Sequence, residues 1–213
     1  MAFSDFKTIS EVLEKFRITY AVKDFVKIDD ASCPPSKQFL EEFEFCTQHI
    51  DIYASEAARC EAIIFPILKE VYKPYAKDYA LWIKKSISYD ETLSGTPDYL
   101  IATRSELGLP VVGIPLIILV EAKKNDFDMG WGQCIAEMLA AQKINGDPDI
   151  HVYGIVSDGT MWQFGKLIGD AFIRDKTSVT MNNLPQLFGA IDTVFKAGCN
   201  GQHTNTSQEN SSS

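Results

Sequence analysis

The sequence predicts an α/β fold, a mixed β-sheet flanked by α-helices, and three features carry that expectation. Helical periodicity governs the first third of the chain. An almost wholly apolar run, Ile114 to Val120, has the composition of an interior strand covered on both faces. Further on, Asp158-Gly159 sits between two β-rich runs, a strong hairpin signal.

Taken in order, Phe6, Ile9, Val12, Leu13 and Phe16 fall at helical spacing and predict a helix over Ser4 to Phe16. Ile18 to Val22 and Phe25 to Ile28 are richer in β-formers and predict one or two short strands. Cys33-Pro34-Pro35 breaks the chain, and Ser36 is placed to cap a helix reaching about His49. Ser55 or Asp51 starts the next helix, which runs through Ile63, Ile67 and Val71 to Lys73-Pro74, with Pro66 kinking it or starting its second half. Strands are expected over Tyr79 to Ile87 and Asp98 to Thr103, the second entered through Gly95-Thr96-Pro97. After the apolar strand, Asp128 is placed to cap an alanine-rich helix reaching about Ile144, with Gly146 beyond its end. The hairpin pairs Ile150 to Val156 with Met161 to Phe164, a short strand lies within Ala171 to Thr180, and Leu184 to Phe195 closes as an amphipathic helix. Residues 1–197 thus form one domain, and 198–213, poor in hydrophobes, read as a disordered tail.

Composition narrows the function classes. At 213 residues, 46% hydrophobic and 23% charged, the chain has the make-up of one ordinary folded domain. Its start lacks a basic stretch followed by an apolar core, and no run of about 18 uncharged apolar residues follows. Cytoplasmic location and no membrane contact are the expectation. Five widely spaced cysteines with no CxxC pair fit reduced thiols, and the three histidines stand at no metal-ligand spacing, which argues against a zinc enzyme. A formal charge of −9 opposes non-specific attraction to phosphate. The charge is unevenly spread: Lys69 to Lys85 holds five lysines against two acids, whereas Ser86 to Asp149 holds ten acids against four bases.

The chemistry begins where the buried strand ends in Glu121-Ala122-Lys123. Alternation along a strand sends Glu121 and Lys123 to one face and Ala122 to the other. An acid and an amine on one buried side need compensation. They can pair with each other, or Glu121 can hold a metal while Lys123 reaches a water or a phosphate oxygen. Asp98, at the start of a neighbouring strand, favours the second arrangement, because two carboxylates meeting across a strand gap repel unless a cation lies between them. Oxygen-only ligation suits Mg2+ or Mn2+, and such an ion activates water for phosphodiester hydrolysis without histidine.

Pro97-Asp98 followed after twenty-two residues by Glu121-Ala122-Lys123 resembles the Pro-Asp…(Asp/Glu)-X-Lys signature of the restriction-endonuclease-like superfamily. Upstream, Glu56, Arg59 and Ile63 to Leu68 are similar to the first helix of nuclease domains related to type I restriction subunits, in which a glutamate stands ten residues before the proline. Glu61 on the same helix competes for that role. Downstream, Gln133 occupies the place where many members hold an active-site glutamine. The likeness covers roughly Ser55 to Phe164. It departs at Glu137, where an exonuclease-like branch carries tyrosine. Gln133 and Glu137 also have the four-residue spacing of a simple surface hydrogen-bonding pair, Lys124 points away from Lys123, and Trp131 and Trp162 can stack on bases but more ordinarily fill a core.

The resemblance implies a Mg2+-dependent (or Mn2+-dependent) DNA endonuclease or nuclease subunit. Asp98, Glu121 and the Ala122 carbonyl would hold the metal, Lys123 would position the attacking water, and Gln133 and Glu56 would support them. DNA as substrate, a targeting protein subunit and a homodimer with two sites for two strands are the partners it implies. The competing expectation is a catalytically inactive nuclease-like module acting through protein or nucleic-acid contacts.

Overall fold

The β-rich segments of the chain assemble into a seven-stranded mixed sheet in the computed structural model, which describes residues 2–123 and 126–200. The strands are β1 (Thr19–Lys23), β2 (Tyr79–Ile83), β5 (Tyr99–Arg104), β6 (Val112–Ala122), β7 (Val152–Ser157), β8 (Met161–Ile168) and β9 (Ala171–Thr180). Their order across the sheet is β1-β9-β8-β7-β6-β5-β2. The β1–β9 and β6–β7 pairs are parallel and the others antiparallel. A separate two-stranded ribbon joins β3 (Ile87–Ser88) to β4 (Ser94–Gly95).

Helices cover both faces. On one lies α5 (Phe127–Asn145), itself overlain by α1 (Ile9–Phe16) and a short 3-10 turn at Phe3–Asp5. On the other lie α2 (Lys37–His49), α6 (Leu184–Asn200) and a composite helix of α3 (Glu56–Arg59), a π turn (Cys60–Ile64) and α4 (Phe65–Tyr72). Leu100, Leu119 and Val156 face α5, while Tyr99, Val120 and Ala122 face the other layer.

The apolar strand is interior, as expected, with β5 on one side and β7 on the other. Its apolar character is continuous because of a bulge as well as two-sided burial. Ile101 pairs with Ile118 but Ala102 pairs with Leu116, so Ile117 is an extra residue in β6. The side chain of Asn145, at the end of α5, accepts the Leu116 N–H at 2.7 Å and donates to the Leu116 carbonyl at 2.9 Å, satisfying the backbone beside the bulge.

Several boundaries differ from the sequence expectation for identifiable reasons. The first helix starts only at Ile9, because Thr8 caps it and Glu11 reaches back in a capping box. Phe25 to Ile28 is not a strand: the Phe25 and Val26 N–H groups donate to the Asp175 carboxylate instead of to a ladder. Tyr79 to Ile87 divides in two, since Lys84 turns out of the strand direction at φ 49°. The Ser36 and Ser55 caps form. Pro66 is accommodated by the π turn before it, where the Phe65 N–H reaches the Cys60 carbonyl five residues back and the proline lacks a donor to lose. Asp126, not Asp128, caps α5, accepting the Met129 N–H at 3.0 Å. The strand within Ala171 to Thr180 occupies all of that span, and the last helix continues to Asn200, with Cys199 buried. The rest of the expected tail, and Lys124, lie outside the described residues.

Candidate metal centre

The pairing of Tyr99 with Val120 in the β5–β6 ladder places Asp98, one residue before, opposite Glu121, one residue after. Both are buried, at 4% and 5% exposure. The Asp98 Oδ2 accepts the Ala122 N–H at 2.7 Å, which ties the carboxylate to the end of β6. Lys123 continues the alternation: its Nζ lies 3.0 Å from Glu121 Oε1, and its own N–H donates to the Ser157 carbonyl at 2.9 Å, so the residue is held although β6 has ended. Asp98, Glu121 and Lys123 are therefore brought together by strand register and alternation alone.

Helix α5 supplies the floor. It is buried on nearly every side, because the sheet lies under it and α1 lies over it. A Cβ on Gly130 would stand 2.7 Å from Val156 Cγ1 and 3.2 Å from Lys123 Cγ, so only glycine lets the helix start this close to the Lys123 side chain. From that start, Gln133 and Glu137 project one turn apart and are both buried, at 6% and 2% exposure. They are not the surface pair that their spacing also allowed. Glu137 lies within hydrogen-bonding reach of Glu121. No donor among the described residues reaches Oε1 of Gln133 or Oε2 of Glu137.

Three buried carboxyl groups thus converge. Burial, and then the charge of Asp98, raise Glu121 to about 7 against the pull of Lys123. Burial, then the charges of Glu121 and Asp98, hold Glu137 well above the ordinary carboxyl range. For Lys123 burial acts downward, but Glu121, Glu56 and Asp98 outweigh it and keep the ammonium above its usual value. Lys123 is a cation here, suited to orienting a water or an oxyanion and not to removing a proton.

Two residues of the site, Lys84 and Glu137, were not assigned to it from the sequence. Lys84 donates from Nζ to Asp98 Oδ1 and from its backbone N–H to the Asp98 carbonyl at 2.9 Å. Its left-handed backbone, which a lysine seldom adopts, aims the side chain there. No local pattern announces such a turn. Glu137 carried a signal in its spacing from Gln133, but nothing in the sequence indicated its burial.

Glu56 opens the composite helix, capped by Ser55. It lines a cleft of about 310 Å3 together with Glu61, Cys60, Phe65, Ile83, Lys84 and Tyr99. The charge of Glu56 acts on Lys123, whereas that of Glu61, an exposed residue, acts on Tyr99. Glu56 is thus the helix acid electrostatically joined to the centre. Arg59 instead donates to the Asp158 carbonyl at 3.0 Å and bears on the Tyr53 ring, which anchors the helix to the β7–β8 hairpin. Trp131 and Trp162 are fully buried, with their N–H groups on Gln163 and the Gly159 carbonyl, and neither is available to stack on a base.

The donor set fits a hard divalent cation. Among the described residues, no group of three or more His, Cys, Asp or Glu side chains is arranged as a ready cage. Mg2+ needs none, since it binds through one or two carboxylates and keeps several waters. Each Asp98 oxygen already accepts one hydrogen bond and retains a lone pair for a cation. Glu121 beside Asp98, and the unpartnered oxygens of Gln133 and Glu137, are where a cation and its waters would relieve like-charge repulsion and unmet acceptors.

No family model matches the chain, and no curated protein matches it significantly. Among the described residues no helix is long and apolar enough to cross a membrane.

Proposed function

We propose that the protein is a Mg2+-dependent (or Mn2+-dependent) endonuclease of the restriction-endonuclease-like type, hydrolysing phosphodiester bonds in DNA. One observation carries the reading: Asp98 stands opposite Glu121 across the β5–β6 ladder, with Lys123 on the Glu121 side as the strand ends. The mixed sheet with helices on both faces supports it. Asp98, Glu121 and the Ala122 carbonyl would hold the ion, which supplies an activated water and neutralises charge on the scissile phosphate. Asp98 is fixed for this task by the Ala122 N–H. Lys123, kept protonated by its acidic neighbours, orients the attacking water and the phosphate oxygen. Glu56 sustains the charge on Lys123, and Gln133 and Glu137 close the site from below. The net charge of −9 gives little attraction to DNA, so delivery by a partner subunit or by a homodimer belongs to the reading.

A specific observation favours one rival. Lys84 pairs with Asp98 and Lys123 with Glu121, so each proposed ligand already has a cationic partner, as expected of a nuclease-like module that binds without cutting. Supercoiled plasmid separates the two. An endonuclease nicks it with Mg2+ or Mn2+, and Asp98→Ala and Lys123→Ala abolish the nicking. Nicking that persists in both variants would sink the site, and no cleavage of any nucleic acid together with no Mg2+ stabilisation in a thermal melt would favour the module.

A further inference from the structure

Mg2+ retains coordinated waters, and those waters only donate hydrogen bonds, so a buried site for a hydrated cation must provide acceptors that the protein itself leaves unmet. Two such atoms lie on one face of α5. Oε1 of Gln133 and Oε2 of Glu137 are both inaccessible to solvent, and no N–H or O–H of a described residue reaches either. Leaving an acceptor dry costs roughly 1–3 kcal/mol. Elsewhere the same helix wastes none of its polar groups in this way. Gln142, equally buried, donates to the Gly169 carbonyl at 3.1 Å, and Asn145 serves both backbone groups of Leu116. Glu137 is in reach of Glu121, and Glu121 faces Asp98.

We propose that Glu137, with Gln133, forms the water-binding half of the cation centre: Asp98 and Glu121 ligate the ion from the sheet, while the two α5 side chains accept hydrogen bonds from its coordinated waters and hold the Glu121 carboxylate in place. This rests on the metal reading above and extends it to a residue where the resemblance offered only a mismatch. Glu137 is a positioning residue, since it acts through Glu121 and through water. The tyrosine of the related pattern has a donating hydroxyl at the end of a rigid ring, whereas a carboxyl group brings an acceptor close to the waters.

The experiment is calorimetric titration of the full chain with Mg2+ and with Mn2+, in the absence of any nucleic acid, with folding checked by circular dichroism. The variants are Asp98→Ala, Gln133→Leu, Glu137→Met and Glu137→Gln. Glutamine at 137 keeps an oxygen for the waters and an N–H for Glu121, whereas methionine keeps the length and removes both. Glu137→Met and Gln133→Leu are expected to weaken cation affinity about 10–100-fold, and Glu137→Gln to stay within about threefold of the parent. The rescue by glutamine is a readout that packing alone does not give. Unchanged affinity in both Glu137→Met and Gln133→Leu, with binding lost in Asp98→Ala, would overturn this inference and leave the metal reading standing. A folded parent that takes up neither ion would overturn both. If Glu137→Met fails to fold, Gln133→Leu and Glu137→Gln decide, and a loss in glutamine as large as in leucine counts against the proposal.

Discussion

Two parts of the molecule bury carboxylates to the same degree and treat them in opposite ways. Asp175, 4% exposed near the β1 edge of the sheet, is surrounded by donors. Its oxygens accept the N–H groups of Phe25 at 2.6 Å, Val26 at 2.8 Å and Thr177 at 2.7 Å. Glu121, 5% exposed at the far end of β6, is surrounded by acids, with Lys123 as its cationic partner. Backbone amides cannot leave, so the first arrangement is finished in the folded chain. Like charges and dry acceptors remain at the second, and that is the mark of a place adapted to something other than its own stability.

The comparison can be broken most sharply at Glu121. Glu121→Gln keeps the shape and removes the charge, and about a thousandfold loss of metal-dependent nicking is expected, of the size seen when a group stabilising transition-state charge is removed. Stability at pH 7.5 is expected to hold or rise, because a buried repulsion goes with it. A variant that melts markedly lower would place Glu121 in the structural class.

Asp175→Ala should do the reverse. Three backbone donors lose their acceptor, two of them in the segment that follows β1, and a loss of about 3 kcal/mol is expected in urea unfolding. Activity per folded molecule should be unchanged. A loss below about 1 kcal/mol would show that the amides find water instead.

The acidic centre should also respond to pH. Glu121 titrates near 7 in the folded protein against an ordinary 4.5. Between those values the folded state binds more protons than the unfolded chain, so the Glu121 contribution to metal-free stability falls as pH rises from about 4.5 to about 7, by roughly 3 kcal/mol. Urea melts at pH 5 and 7.5 measure this fall together with the one that buried Glu137 adds in the same direction, and Glu121→Gln should reduce it. A slope of opposite sign would mean that Glu121 gains more from Lys123 than it loses to burial.

The smallest effect tests the spacing beneath the site. Gly130→Ala places a methyl against Val156 and the Lys123 stem. A cost of about 1–2 kcal/mol is expected by overpacking, with a nicking rate reduced further than Km for plasmid is raised, because Lys123 shifts. Equal activity would show that the Lys123 stem moves aside freely.

Much of the site was legible because it depends on local rules. Alternation alone puts Glu121 and Lys123 on one face, and Gly95-Thr96-Pro97 before a β-rich run marks where Asp98 enters the sheet. The hairpin at Asp158-Gly159 and the Ser36 cap were equally local. What escaped is decided by tertiary packing. Lys84 reaches Asp98 only through a left-handed turn that lysine propensity argues against. Glu137 looked like a solvent-facing residue because nothing in its spacing reveals that it turns toward Glu121 of the sheet. Phe25 to Ile28 has β composition but lost its ladder to a carboxylate 150 residues away from Phe25. Asp128 was expected to cap α5, but Asp126 does so, and Asp128 instead receives the Ile9 N–H at 3.4 Å, linking α1 to α5.

The extra residue Ile117 divides β6 into two lengths that answer to different demands. Beyond it, five residues, Ile118 to Ala122, hold register with β7, the first three of them also with β5, and set the phase of the chemistry. Before it, the strand runs out to a turn whose Leu107 and Leu109 are exposed. With Asn145 clamping Leu116, and a second register shift between Ala102 and Arg104, the irregular outer length is set apart from the regular one that keeps Glu121 and Lys123 on the side of α5.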